Sequence, residues 1–127
     1  MANHNRLGSE GERIATEYLL ADGYTIHRTD ERVRHRGEID IIAFKDNEVV
    51  FVEVKTRSEE DTDPMEVVDA RRRARICRAA DSFIERLQID LLPRFDIIII
   101  NMAPDGSHRL THYPDAFIPP LNATRRY

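Results

Sequence analysis

Apolar residues recur at helical spacing in two parts of the chain. The first stripe consists of Ile14, Ala15, Tyr18 and Leu19. It predicts a helix from about Ser9 to Ala21. Ser9 and Glu12 have the spacing of a capping box at its start, and Gly23 follows its end.

The second stripe consists of Ile76, Ala80, Phe83 and Leu87. It predicts a helix that opens at 61–64 and runs to about Leu87. The opposite face of this helix would carry Arg71, Arg75 and Arg78. Arg72 would lie at the edge of the buried stripe, and Pro93 predicts a break in the chain before the next element.

Runs of β-branched and aromatic residues predict strands elsewhere. The two clearest strands cover 38–44 and 49–56, and they are joined by a turn at 45–48 whose Asp46 and Asn47 tolerate positive φ. A short strand is predicted at 24–28, a strand buried on both faces at 95–100, and an edge strand at 109–113.

This order of elements predicts an α/β protein with a mixed sheet. The first three strands should form an antiparallel meander, and the crossover through the second helix should make the buried strand parallel to a neighbour. With 127 residues the chain is expected to form one domain, with a core at about 8–113 and an irregular C-terminal tail.

Composition narrows the possible environments. The single cysteine, Cys77, excludes a disulfide framework within one chain, and the polar N-terminus has no apolar signal segment. Both features favour a reducing cytoplasm. The longest apolar run, 97–100, is far too short to span a bilayer. The five histidines and Cys77 do not form a zinc-binding pattern.

The hairpin carries the clearest chemical signal. If its turn is symmetric about Asp46 and Asn47, the numbers of paired residues sum to 93. Asp40 then lies opposite Glu53, with Lys55 two residues further along the same face. Directly opposed residues have Cβ atoms about 4.5–5.5 Å apart, so the two carboxylates should repel each other.

A carboxylate pair among buried apolar residues needs compensation. A shared proton, the Lys55 ammonium and a divalent cation are the three available sources. Mg²⁺ suits such a site because it accepts carboxylate and water ligands and bridges to phosphate. This arrangement is typical of phosphodiester hydrolysis. The alternative is that Asp40 and Glu53 are polar residues on a solvated sheet face.

The segments 37–43 (GEIDIIA) and 50–57 (VFVEVKTR) resemble the signature of the YraN family. That family is similar to archaeal Holliday junction resolvases and lies in the PD-(D/E)XK superfamily. The resemblance, which covers about 8–100, implies a restriction-endonuclease-like three-layer α-β-α core with a mixed four- to five-stranded sheet. It also implies metal binding by Asp40 and Glu53 and a catalytic role for Lys55.

Two further positions follow from the resemblance. It implies that Glu12 on the first helix points into the site, whereas the capping box gives Glu12 a purely local role. The family usually has a lysine on the long helix where this chain has Arg72. Arginine keeps the charge and can grip a phosphate, but it donates a proton less readily.

Arginine clusters supply candidate phosphate contacts in a chain whose net charge is −4. Arg32, Arg34 and Arg36, beside His35, lead directly into the Asp40 strand, and Arg57 follows Lys55. The alternative for the first cluster is a solvated loop that pairs with Asp30 and Glu31. The exposed face of the second helix is expected to be solvated, although Arg72 remains a candidate for nucleic-acid binding.

The leading hypothesis is therefore a cytoplasmic endonuclease that hydrolyses DNA with Mg²⁺ or Mn²⁺. A branched or flapped substrate is implied only by the resemblance to resolvases. Such enzymes often dimerise to cut two strands, so a homodimer is compatible with it. A second hypothesis is a nucleic-acid-binding module of the same fold without turnover. A third is a small interaction protein whose hairpin is only structural.

Overall fold

The computed structural model describes residues 2–27, 39–58 and 69–118. Two helices and five strands form in these ranges. In chain order they are α1 (Ala2–Ala21), β1 (Thr25–Ile26), β2 (Ile41–Lys45), β3 (Glu48–Ser58), α2 (Ala70–Leu87), β4 (Leu92–Met102) and β5 (His108–Phe117). None of the described helices combines the length and apolarity that a membrane crossing requires.

The five strands form one sheet in the order β1-β2-β3-β4-β5. β3 and β4 are parallel, and the other neighbouring pairs are antiparallel. The predicted meander and the parallel crossover are therefore both confirmed. The crossover through α2 makes β4 a central strand, which explains why its side chains from Phe95 to Ile100 are buried on both faces.

One helix covers each face of the sheet. The first core cluster joins α1 to alternate residues of the strands and contains Ile14, Ala15, Leu19, Tyr24, Ile41, Ala43, Val50, Val52, Ile98 and Ile100. The second joins α2 to the intervening residues and contains Val49, Phe51, Ile76, Cys77, Ala80, Phe83, Phe95, Ile97 and Ile99. This three-layer α/β arrangement confirms the predicted fold class. The two faces are called the α1 face and the α2 face below.

The first helix begins earlier than the sequence predicts. It is already helical at Ala2, seven residues before the predicted start at Ser9. Ser9 is therefore an interior residue, and the capping-box interpretation of Glu12 is wrong. A Ser-X-X-Glu pattern marks a helix start only where the chain is not already helical.

The second helix also differs at its start. Asp69 has an extended backbone, and its side chain accepts a hydrogen bond from the Arg72 backbone N–H, so the described helix starts at Ala70. A continuous helix from 61–64 is therefore wrong, and 59–68 lie outside the described residues. The stripe prediction holds at Ile76, Ala80 and Phe83. It fails at Leu87, which is exposed where the helix ends.

Three predicted strands are longer than expected, and β3 exceeds the predicted 49–56 by one residue at its start and two at its end. β4 already begins at Leu92, and Pro93 is its second residue instead of a break. Proline is tolerated at the beginning of a strand, where the lost N–H costs little. β5 likewise extends beyond the predicted 109–113 in both directions.

A buried ionic network lies on the α1 face. The carboxylate of Asp96 is fully buried and accepts hydrogen bonds from the Arg94 guanidinium (2.7 and 2.9 Å), from His112 Nε2 (2.7 Å) and from the Asp115 backbone N–H (2.9 Å). The network extends through Arg94 to the Tyr24 hydroxyl. His112 lies within the predicted edge strand, and its hydrogen bond to Asp96 ties β5 to β4.

Candidate active site

The hairpin register determines where the candidate carboxylates lie. Ile41 pairs with Val52 and Lys45 with Glu48, so every pair from β2 and β3 sums to 93, as predicted. The turn that sets this register contains Asp46 with φ 56°. Asp40 directly precedes the first of these pairs, and Glu53 follows its partner, which makes the two residues cross-strand neighbours.

Asp40 and Glu53 lie within reach of each other. Asp40 Oδ2 accepts a hydrogen bond of 2.9 Å from the Val54 backbone N–H, which holds the carboxylate against β3. The Asp40 carboxyl also interacts with Glu53, both by charge and by a side-chain hydrogen bond. The Glu53 side chain is only 12% exposed. The two acids are therefore adjacent and poorly hydrated.

Arg72 reaches Glu53 from the first turn of α2. Its Nε donates to Glu53 Oε2 at 3.2 Å, and its Nη2 donates to Oε1 at 3.0 Å. A guanidinium that engages both oxygens of one carboxylate forms the stronger, bidentate type of ion pair. The Asp69 cap fixes the backbone of Arg72, so the start of α2 positions this guanidinium.

The electrostatics of Glu53 show that this compensation is incomplete. Burial, together with the charge of Asp40, raises the pKa of Glu53 from 4.5 to about 7, although Arg72 acts in the opposite direction. Water no longer solvates the carboxylate well, and a second negative charge lies beside it. At neutral pH the pair therefore favours an additional positive charge.

The donor set fits Mg²⁺. The oxygens of two adjacent carboxylates are hard ligands. The raised pKa of Glu53 shows that its negative charge is destabilised, and a bound dication would compensate this charge. Among the described residues, no group of three or more histidine, cysteine, aspartate or glutamate side chains is placed to hold a metal. Asp40 and Glu53 would therefore leave most of the coordination shell to water or phosphate, as Mg²⁺ prefers.

Lys55 completes the predicted trio on the same face. It follows Glu53 by two residues on β3, and side chains at that spacing project from the same side of a sheet. Lys55 is exposed, in contrast to the half-buried Glu53. A molecule that approaches the carboxylates can therefore contact its ammonium group.

Glu12 lies on the other layer of the fold. Its helix packs on the α1 face, and Gly11 lies so close to β3 that an added Cβ would come within 1.8 Å of Thr56 Oγ1. This contact brings the helix to the end of β3 that carries Lys55. Glu12 itself is half-buried. The charges that shift the pKa of Glu53 come from Asp40 and Arg72, so a metal-site role for Glu12 stays a prediction.

The predicted arginine contacts fall into two groups. Arg32, Arg34 and Arg36 lie outside the described residues. Arg57 lies on β3, where its Nε donates to Asn101 Oδ1 on β4 at 3.2 Å. Arg72, predicted as a nucleic-acid contact at the stripe edge, instead holds Glu53 in this structure.

Comparison with known proteins agrees with the hairpin signature. Residues 11–100 match the uncharacterised protein family UPF0102. The chain belongs to this family. UPF0102 is the YraN family, a member of the PD-(D/E)XK-like superfamily, so the family predicted from the hairpin is confirmed.

The relatives cover nearly the whole chain. A UPF0102 protein of Bacteroides thetaiotaomicron is 46% identical over 122 residues, which span 95% of this chain and 99% of the relative. One from Parabacteroides distasonis is 41% identical over 94% of this chain and 98% of its own length. One from Christiangramia forsetii is 37% identical over 92% of this chain and 98% of its own length. Each of these matches therefore covers more than nine-tenths of this chain and of the relative.

Proposed function

We propose that this protein is a Mg²⁺-dependent endonuclease that hydrolyses phosphodiester bonds in DNA. The observation that carries the proposal is the adjacent pair of poorly hydrated carboxylates, Asp40 and Glu53, with Lys55 next along the same face. Membership of a PD-(D/E)XK-like family supports it. A preference for branched or flapped DNA rests on the similarity to junction resolvases alone.

Each residue has a distinct role in this proposal. Asp40 and Glu53 would hold the metal, which would supply Lewis acidity toward a phosphoryl oxygen. The Val54 N–H keeps Asp40 oriented toward the pair. Lys55 is exposed, so it can orient the attacking water or stabilise negative charge that develops on the phosphoryl group.

Arg72 favours a second candidate function. Its bidentate ion pair already satisfies both oxygens of Glu53, which is the residue that must bind the metal. A chain in which this pair persists would bind nucleic acid without turnover. The catalytic proposal requires that Mg²⁺ or a substrate phosphate draws Arg72 away.

A cleavage assay separates these functions. Duplex, flap and four-way-junction DNA are incubated with the protein in Mg²⁺, Mn²⁺ or EDTA. We expect metal-dependent cutting that falls at least about 100-fold in Glu53→Gln and Lys55→Ala, the effect of removing a group that stabilises charge in a transition state. Glu85→Gln makes the same chemical change at an exposed position on α2 and should cut normally.

The outcomes differ clearly. Cutting that survives in both Glu53→Gln and Lys55→Ala would come from a contaminant and would overturn the nuclease proposal. Binding without cutting by the wild type would favour the second function. If the wild type neither binds nor cuts any of these DNAs, both functions are excluded.

A further inference from the structure

Beyond the carboxylates, the α2 face carries a row of polar residues that crosses three strands. Arg57 on β3 pairs in register with Asn101 on β4, and Asn101 pairs with Arg109 on β5. Residues in register on neighbouring strands project from the same face, and strands are spaced about 4.8 Å apart. The three side chains therefore form a continuous row about 10 Å wide.

The packing of neighbouring residues confirms the face. Leu110 packs against the core cluster of the α1 face, whereas Tyr113 packs against that of the α2 face. Arg109 and Tyr113 are four positions apart on β5, so alternation places Arg109 on the α2 face as well. The hydrogen bond from Arg57 Nε to Asn101 Oδ1 joins the first two members directly.

The row lies immediately beyond the proposed active site. Along β3, the residues of the α2 face are Glu53, then Lys55, then Arg57, each about 6.6 Å from the last. The charge thus changes from negative at the carboxylates to positive at Lys55, and it stays positive through Arg57 to Arg109. Arg109 is exposed, which leaves its guanidinium accessible to a large ligand.

The chemistry of the row fits a phosphodiester backbone. Arginine forks bind phosphate oxygens without reading the sequence, and Asn101 holds one of the two arginines by its side chain. The carboxylate of Asp105, in the nearby β4–β5 turn, accepts from the Ser107 backbone N–H and hydroxyl. That acid is therefore engaged within its own turn.

We propose that Arg57, Asn101 and Arg109 form a binding row for the nucleic-acid backbone adjacent to the cleaved phosphate. This inference rests on the proposed function, because the carboxylates define where the backbone must pass. It assigns to β5, an edge strand, a role in substrate binding. Arg109 is the contact furthest from the metal pair, and Asn101 is a positioning residue that orients Arg57.

DNA binding measured against salt concentration tests the row. A labelled 30-base-pair duplex is titrated in EDTA, where no metal-dependent cutting occurs, with wild type and Arg109→Ala. Each phosphate contact contributes about 0.9 to the slope of log K against log salt. We expect Arg109→Ala to bind several-fold more weakly at low salt and to lower the slope by about one.

Two further variants make the result specific. Arg109→Lys keeps the charge and should retain most of the slope. Arg86→Ala removes an exposed arginine from the last turn of α2, away from the row, and should bind like wild type. Circular dichroism would show that all variants are folded.

The inference and the proposed function can fail separately. Wild-type binding with equal slopes in Arg109→Ala and Arg86→Ala would overturn the binding row and leave the nuclease proposal intact. A reduced slope in Arg109→Ala together with no cutting in Mg²⁺ would support the row and overturn the nuclease. No binding of duplex DNA by the wild type would overturn the row.

Discussion

Asp96 and Glu53 lie on opposite faces of the same sheet, and the carboxylate of each pairs with an arginine. Asp96 is fully buried, whereas Glu53 is half-buried. Around Asp96, burial alone would raise the pKa, but hydrogen bonds from His112, Arg94 and the Asp115 N–H outweigh it and lower the pKa. Around Glu53, burial and Asp40 outweigh Arg72, and the pKa rises to about 7. The same sheet therefore holds one carboxylate whose charged form is stabilised, Asp96, and one whose charged form is destabilised, Glu53.

The difference lies in the neighbours. Asp96 receives hydrogen bonds from three residues, an arrangement that holds β5 against β4. Glu53 receives one guanidinium and has Asp40 next to it. Satisfied buried charges serve structure, whereas a carboxylate whose pKa is strongly raised beside another acid marks a candidate functional site. The following experiments test this contrast.

The largest effect is expected at Asp96. Asp96→Asn removes the fully buried negative charge, and the largely buried Arg94 guanidinium keeps only the half-exposed Glu48 as a described counter-ion. Breaking a buried ion pair from one side costs about 3–5 kcal/mol of unfolding free energy. Urea denaturation of the variant and of Glu85→Gln, an exposed control, measures the loss. An Asp96→Asn protein as stable as wild type would show that the network contributes nothing to folding.

The contributions of Glu53 and Asp96 to folding stability should depend on pH in opposite directions. Because the folded pKa of Glu53, about 7, exceeds its ordinary 4.5, its contribution to stability is complete below pH 4.5 and is lost as the pH rises through 7. At 1.4 kcal/mol per pKa unit the loss is about 3 kcal/mol. The lowered pKa of Asp96 acts in reverse, and its contribution is lost only as the pH falls below its ordinary 3.8.

Asp40→Asn tests how far the charge of Asp40 causes the pH-dependent loss of stability at Glu53. Asparagine can still accept the Val54 N–H bond, but it no longer repels Glu53. Metal-free denaturation between pH 4.5 and 8 should therefore show a smaller loss of stability than in wild type. Identical pH profiles for the two proteins would mean that Asp40 does not act on Glu53.

Mg²⁺ should stabilise the fold only through the Asp40–Glu53 pair. At a concentration 100 times its Kd, a ligand that binds the folded state alone stabilises by about 2.7 kcal/mol. We expect a shift of this size for wild type at pH 8 in thermal or urea denaturation. Asp40→Asn and Glu53→Gln should each lose most of it. An equal shift in these variants would place the Mg²⁺ elsewhere on the molecule.

The contrast also shows what the sequence could predict. The register of Asp40 and Glu53 follows from a two-residue turn and strict alternation, which are local rules, so it was predictable. The Asp96 network joins residues far apart in sequence, among them Tyr24, Arg94 and His112, which only the fold brings together. Its one local signal was Arg94 and Asp96 two apart in an otherwise apolar strand, on one face.

The ends of elements were predicted least well, for a related reason. The Ser9 pattern resembles a cap, but the preceding residues extend the helix. Pro93 resembles a break in the chain. However, the Leu92 N–H donates to the Asn47 carbonyl, so the strand has already begun at the residue before Pro93. Arg72 was predicted at the edge of the α2 stripe, and its ion pair with Glu53 depends on how α2 crosses β3.

The smallest expected effect concerns Arg72, whose ion pair with Glu53 corresponds to the pair of Arg94 with Asp96. Its guanidinium occupies both oxygens of Glu53, so Mg²⁺ must compete with it for that ligand. Arg72→Gln removes the competing charge and should tighten Mg²⁺ binding about tenfold, or about 1.4 kcal/mol, which is close to the lower end of the range for a hydrogen bond to a charged group. Titration calorimetry measures this affinity without reference to catalysis.

Matched variants determine whether the effect comes from the ion pair or from charge in general. Arg71→Gln removes an equal charge from the neighbouring, exposed position and should leave the Mg²⁺ affinity near that of wild type. Arg72→Lys keeps the charge but cannot grip two oxygens in a fork, so it should give an intermediate affinity. If Arg72→Gln binds Mg²⁺ no more tightly than Arg71→Gln, Arg72 does not compete for Glu53. The site would then be open to metal at all times, and the argument for a binding module without turnover would lose its only structural support among the described residues.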